Sequence, residues 1–274
     1  MISAWFSRHA SRLRAAGKAA LWHLCISVVI ALVVGAVVFG LWYPYPYRSL
    51  SGGLHLFVTL VSADVVCGPL LMFILFNPAK SWRSMVADFS LIGLIQLGAL
   101  VYGVTVVAQA RPVVTAFEVD RLVAVSAEEI DPAQLHEAPA ELQRESWNGP
   151  RLIGTRNAKP GEILKSVSES LQGVEPSARP GWWQSYEKSV PDIKKRMQKA
   201  TDLRARLTPD RQNALDQAAQ QTGQPLADLY YLPLTSAKQL DSWIALLNAQ
   251  GHVVGYAPED GFPPDNGWKP AEHK

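Results

Sequence analysis

The run LHLFVTLVSADVVCGPLLMFILF, residues 54–76, constrains this chain more than any other stretch. It is long enough to cross a bilayer, because a hydrocarbon core of roughly 30 Å takes about 20 apolar residues at a helical rise of about 1.5 Å. Two features interrupt it: Asp64 near the middle, and Gly68-Pro69 about one turn later. A carboxylate at that depth costs several kcal/mol unless it is protonated or partnered, so it is expected to face a bundle interior. Pro69 takes away the donor of a carbonyl one turn back, which calls for a kink or a packed neighbour. Such a span needs companions in the membrane.

The flanking sequence supplies two. Residues 1–20 form a basic segment holding Arg8, Arg12, Arg14 and Lys18, expected to be cytoplasmic. Its Trp5, Phe6 and Leu13 would lie in the interface if the stretch is helical. A first span of about 21–42 follows. Its apolar run is long and no A-x-A-like site comes after it, so it is expected to be retained rather than cleaved as a signal peptide. It ends in WYPYPY (42–47), an aromatic anchor suited to headgroup depth, with two prolines that stop the helix. The second span, about 54–76, is broken by Asn77-Pro78, and Lys80, Trp82 and Arg83 occupy the turn. Asp88 then opens a third span, about 89–108, placed against the positive end of the helix dipole.

Basic residues set the orientation. Four lie in the N-terminal segment and two in the 77–87 turn, whereas the 43–53 turn has only Arg48. The positive-inside rule puts the first two segments in the cytoplasm. Three spans then deliver residues 111–274 to the far side, the periplasm of a bacterium with this protein in its inner membrane. Charge divides the same way. Residues 1–110 carry 7 Lys/Arg and 2 acids, and the remaining 164 residues carry 19 Lys/Arg and 22 acids. Neither part holds the dense basic stripe of a nucleic-acid binder.

Counting depth along antiparallel spans brings Asp64 level with Tyr102, whose hydroxyl would satisfy the acid, and Gln96 level with Pro69. Gly35, Gly40, Gly93, Gly98 and Gly103 would let the backbones approach. These polar groups either hold three helices in register or recognise a partner's transmembrane helix, proton or ion handling being a third use.

The soluble part reads as an α+β domain with few strands. VVTAFEVDRLVAV (113–125) is β-branched and apolar, a half-buried strand at an exposed edge, with Glu118, Asp120 and Arg121 close together. Ser126 caps a short helix, another piece falls around 138–145, and a turn at 147–150 leads to a short strand. A helix ending near Gly173 puts Ile163, Leu164, Val167 and Leu171 on one face. Residues 174–191, with Trp182 and Trp183, read as a packed loop, and residues 192–206 as a charged helix. Pro209 opens a helix that runs to about Thr222. A strand at 230–234 follows. Ser236 would cap a helix with Leu240, Trp243, Leu246 and Leu247 inward, and HVVGY (252–256) forms a last strand before a frayed Pro/Gly-rich tail.

Catalytic patterns are thin. The sequence has no G-x-S-x-G, no H-E-x-x-H and no phosphate loop. Its six histidines are scattered, and its two cysteines, Cys25 and Cys67, sit in apolar runs, which leaves the soluble part without a thiolate metal site or an internal disulfide. Asp64 and Asp88 are half a membrane apart, too far to act as a proteolytic pair. The expectation is a non-enzymatic protein with no cofactor and no metal.

The chain resembles the type IV pilin accessory proteins of the TfpX/TfpZ group. The resemblance rests on WYPYPYRSLSGG (42–53), D-x-x-C-G-P-L (64–70), FNPAK (76–80), the Asp88, Gln96 and Tyr102 positions, and A-R-P-V-x-x-x-F-E-V-D-R-L (110–122). Cys67 stands where the group usually has leucine or a similar residue. The likeness covers the spans and the start of the soluble domain and weakens beyond about residue 155. It implies an inner-membrane accessory protein that binds or chaperones a cognate type IV pilin, its major partner, and modulates pilus assembly, with the assembly machinery as a further partner. Asp64, Pro69, Gln96 and Tyr102 would then meet the pilin helix or stabilise the bundle. Lys80, Asp88, Arg111, Pro112, Asp120 and Arg121 are the motif positions carried over. The alternative from another class is a membrane-bound sensor or regulator whose periplasmic domain binds a ligand.

Overall fold

A computed structural model describes residues 2–77 and 80–263, which divide into two compact units at Arg111/Pro112. The helix stop expected at Pro78 and the tail past Pro263 lie outside the described residues.

In the first unit α1 spans Ile2–Val37 and closes in a π-helical turn, Val38–Trp42. A single turn, α2 (Tyr47–Leu50), precedes α3 (Gly53–Leu75) and α4 (Trp82–Gln109). Three stretches are long and apolar enough to cross a membrane: Arg12–Trp42, Gly53–Leu75 and Trp82–Gln109. The basic N-terminal segment is therefore continuous with the first span, its alanines, arginines and leucines being strong helix formers. The third helix starts seven residues before the expected 89. Ser81 caps it, its side chain accepting from Ser84 N at 3.3 Å. Asp88 thus sits in the second turn instead of opening the helix.

α3 packs against both α1 and α4. Side chains tie the helix ends together where backbone carbonyls have run out of donors. At one end Arg12 donates to Ile74 O and Lys80 to Leu75 O, each at 3.4 Å, and Lys80 also pairs with Asp88. At the other, Tyr43 Oη donates to Val107 O at 2.9 Å. Trp42, Tyr43 and Tyr47 are buried and only Tyr45, 46% exposed, resembles an interfacial anchor. The WYPYPY stretch is therefore mainly a helix-end clasp, because a buried tyrosine gains more from an orphan carbonyl than from headgroups.

The second unit mixes helix and sheet. In chain order its elements are β1 (Pro112–Glu118), β2 (Arg121–Ser126), β3 (Arg151–Thr155), α5 (Ile163–Leu171), β4 (Trp183–Ser185), α6 (Tyr186–Arg196), β5 (Gln198–Lys199), α7 (Ala200–Arg204), α8 (Pro209–Gln221), β6 (Tyr230–Ser236), β7 (Trp243–Leu247) and β8 (Val253–Ala257), with short 3-10 turns between. Eight strands form one sheet in the order β4-β3-β1-β2-β6-β7-β8, with β5 also on β6. The β1/β3 and β2/β6 pairs are parallel and the others antiparallel. One buried cluster gathers Val113, Ala116, Val125, Ile153 and Trp183, and another Leu203, Leu215, Tyr231, Ile244 and Leu246.

Four expectations change here. Residues 113–125 are two strands: Val119 adopts φ 57° and reverses the chain, giving a hairpin at the sheet centre in place of an edge. Residues 174–191 contain β4 and the start of α6, because Tyr186, Ser189 and Ile193 form a buried face that tolerates Pro191 inside the helix. The expected helix 192–206 instead breaks at Met197, where β5 pairs with β6. The expected helix after Ser236 is a strand: Trp243–Leu247 is buried at every position, and Ser236 Oγ accepts from Lys238 N and Gln239 N to close a turn.

Candidate functional site

The polar intruders deep in the three spans are His23 on α1, Asp64 on α3 and Gln96 on α4, and all three line one cavity of about 270 Å³. Apart from the Ser27 hydroxyl its remaining wall is apolar: Ile30 and Val34 from α1, Leu60 from α3, Gly93, Leu97 and Leu100 from α4. The helices bring the polar groups together over Gly68. A Cβ there would sit 2.1 Å from Gln96 Nε2 and 2.5 Å from His23 Nε2, so only glycine admits both side chains against the α3 backbone. Both nitrogens are buried and neither has a hydrogen-bond partner. His23 is also the titratable side chain that acts electrostatically on Asp64. Asp64 precedes Gly68 by four residues, and residues so spaced share a helix face.

The structure brings Asp64 and Gln96 to one site but not Tyr102, which is 74% exposed on its helix. The contacts explain the miss. Gly68 lies against Gln96, and Gly103 against Leu60, where a Cβ would be 2.1 Å from Leu60 Cδ1. This register differs from the depth count by one to three residues. Two residues turn a helix by about 200°, which carries Tyr102 away and leaves Leu100 beside Asp64. Pro69 follows Gly68 inside α3 but does not line the cavity, and Gln96 finds no freed carbonyl. Of the five glycines, Gly35 and Gly103 admit side chains from α3, whereas a Cβ added at Gly40, Gly93 or Gly98 would meet nothing within 4 Å. His23 was missed by motif spacing. Its signal was plain polarity in an apolar span, the same signal that marked Asp64.

The remaining motif residues have local roles. Lys80 and Asp88 join the loop to α4. Arg111 is buried, and its guanidinium donates to Ala108 O, near the last turn of α4. Pro112 begins β1. Asp120 and Arg121 form a 2.9 Å pair at the hairpin tip, with Arg121 over the Phe262 ring.

The second unit holds two clefts that share the hairpin residues Glu118 and Val119. One, of about 540 Å³, adds Arg156, Trp182, Lys195 and Arg196, and the other, of about 690 Å³, adds Arg121, Glu128, Glu175 and Ser177. Glu118 accepts from Ser177 N at 2.8 Å, and burial raises its carboxyl above the ordinary range. Arg156 is already held by Glu162 at 2.8 Å, and that hydrogen bond is the main reason the Glu162 carboxyl falls to about 2. Trp183 is buried and donates from Nε1 to Ser177 O, and Trp182 lies under Arg156 and Arg179, so the tryptophan pair plugs a core. Among the described residues no group of three or more His, Cys, Asp and Glu is arranged to hold a metal ion.

Comparison with known proteins gives a consistent family. The model of the fimbrial assembly protein FimB family matches residues 11–52. The fimbrial assembly protein of serogroup E1 from Dichelobacter nodosus is 32% identical over 241 residues, covering 88% of this chain and 93% of its own length. The serogroup I protein of the same organism matches to the same extent, 32% over 241 residues. A third, from serogroups C1 and C2, is 43% identical over 100 residues, 36% of this chain. No solved structure matches.

Proposed function

Since the chain belongs to the fimbrial assembly protein family, we propose that it is a non-enzymatic inner-membrane accessory that binds or chaperones a cognate type IV pilin during pilus assembly. The helices α1, α3 and α4 form the intramembrane receptor, with Asp64 and Gln96 facing the apolar helix of a pilin that waits in the bilayer. The second unit lies in the periplasm and meets the pilin head. The observation that carries this reading is the cavity among the three spans, where His23, Asp64 and Gln96 converge with no hydrogen bond between them. Polar groups left unpaired in hydrocarbon cost several kcal/mol, and lipid tails offer them nothing. A partner helix does.

The test is photocrosslinking in native membranes from Leu97, which lines the cavity, and from Tyr102, which does not. Pilin adducts are expected from Leu97 and scarcely from Tyr102, and Asp64→Leu should reduce pilin recovered by pull-down. Equal recovery with wild type and Asp64→Leu would refute the intramembrane part. The sensor reading has one observation on its side, the polar clefts around Glu118. It would take over if Glu118→Ala left pilin capture and piliation intact while abolishing binding of a periplasmic small molecule.

A further inference from the structure

The polar wall of the intramembrane cavity has a definite chemistry. Two side chains from different helices, His23 and Gln96, bring their Nε2 atoms within 2.5 Å of the same point above Gly68. Their nitrogens are therefore neighbours, both buried, both without a hydrogen-bond partner. Each side chain also lines the open cavity, so rotation of its outer torsion turns the nitrogen from the α3 backbone toward that space. Asp64, one turn earlier on the same face of α3, supplies an acceptor to the same cavity.

From this set we infer that the cavity recognises a side-chain carboxyl carried by an otherwise apolar transmembrane helix, with Gln96 and His23, in the tautomer that carries its proton on Nε2, as the recognising donors. The inference rests on the reading of this cavity as the receptor for a partner helix. Two converging N–H groups match the two oxygens of one carboxyl. An amide matches only one of them, because its NH₂ meets the second donor head-on. An incoming ammonium meets two nitrogens that cannot accept from it, leaving Asp64 alone to compensate its desolvation. An acid entering hydrocarbon arrives neutral, since a bare carboxylate there costs several kcal/mol, and its O–H then has a carboxyl oxygen of Asp64 as acceptor. Both orphaned nitrogens gain a partner, and the apolar wall from Ile30, Val34, Leu97 and Leu100 holds the flanking turns of the helix.

The experiment uses full-length protein in liposomes with a photocrosslinker at Leu97. The probes are synthetic Leu/Ala transmembrane helices with one central Glu, Gln, Lys or Leu. The Glu helix is expected to crosslink about tenfold more than the Leu helix, the scale of two interhelical hydrogen bonds, with the Gln and Lys helices near the Leu level. His23→Phe and Gln96→Leu should each bring the Glu helix down toward the Leu helix. Equal capture of the Glu and Leu helices by wild type overturns the inference without depending on any variant folding. So does Glu selectivity that persists in both variants, or a Gln or Lys helix captured as well as Glu. Pilin crosslinking at Leu97, measured in parallel, reports separately on the receptor reading: pilin captured without Glu selectivity sinks only this inference, and no pilin captured sinks the receptor.

Discussion

At the scale of single residues, the glycines of the first unit divide by what surrounds them. Gly53 opens α3 directly against the Tyr43 ring, where a Cβ would lie 2.3 Å from Cδ1. That ring is fully buried and anchored through its hydroxyl, so it cannot step aside. Gly53→Ala should lower stability by about 1–3 kcal/mol, the usual cost of overpacking. Gly98, with open space around it, should accept alanine with stability unchanged or raised, because alanine is the better helix former. Thermal unfolding in detergent compares the two, and equal shifts would refute this account of the clasp. Glu118 makes a prediction about pH. Burial, ahead of the Ser177 N–H hydrogen bond that opposes it, raises its carboxyl above the ordinary 4.5. Folding therefore favours the protonated form. Its support is complete below the unfolded pKa and is lost as pH rises through the folded value. Relative to Glu118→Gln, which stays neutral, wild type should lose stability as pH rises from below to above the ordinary 4.5. Urea unfolding of both proteins across that range measures the difference, and a flat or rising difference rejects it.

Elements show where the sequence was legible and where it was not. The three apolar spans were legible because each needs some twenty residues of a single character. The helix at Pro209 was legible from its capping pattern. β7 was not, since Trp243–Leu247 is a short continuous apolar run that fits a buried helix or a buried strand equally. Only pairing with β6 and β8 on its two sides decides it. Ala245→Pro removes a ladder donor from that central strand and should cost about 3 kcal/mol or more. α5 had its apolar face identified, and the structure leaves that face exposed. Its polar side is turned inward, where the buried Arg179 bonds Glu169 at 2.9 Å and Ser166 and Ser170 at 3.1–3.2 Å. Leu164 and Leu171 are left 84% and 85% exposed. Periodicity reports that a helix is two-faced, not which face meets the core; a single arginine 13 residues after Ser166 reversed it here. Leu164→Ser should accordingly change unfolding free energy by no more than about 0.5 kcal/mol. A loss like that expected for Ala245→Pro would show that the helix packs the other way.

For the whole molecule, the two units are unlike in charge as well as in fold, and that difference predicts how the chain sits in a bilayer. The candidate site was partly legible for the same reason as the spans. Asp64 and Gln96 are visible as polar residues where hydrocarbon tolerates few, but their company depends on a helix register that depth counting fixes only to a few residues. Orientation depends on no such detail. Arg12, Lys80 and Arg83 fall at the end of the spans where α1 begins, α3 ends and α4 starts, while the opposite turn has Arg48. Each misplaced cation must cross the membrane against the positive-inside bias, so the end bearing Arg12, Lys80 and Arg83 should stay in the cytoplasm. A third span should then take β1 and everything after it to the other side. A reporter active only in the periplasm, fused after Leu122, should be active, and one fused at Asn77 should be silent. Replacing Arg12, Arg14, Lys18, Lys80 and Arg83 by glutamine while adding lysines around Arg48 should weaken or invert that pattern. A Leu122 fusion that behaves as cytoplasmic in the unaltered chain would reverse the orientation, and the second unit could then no longer meet a pilin head outside the membrane.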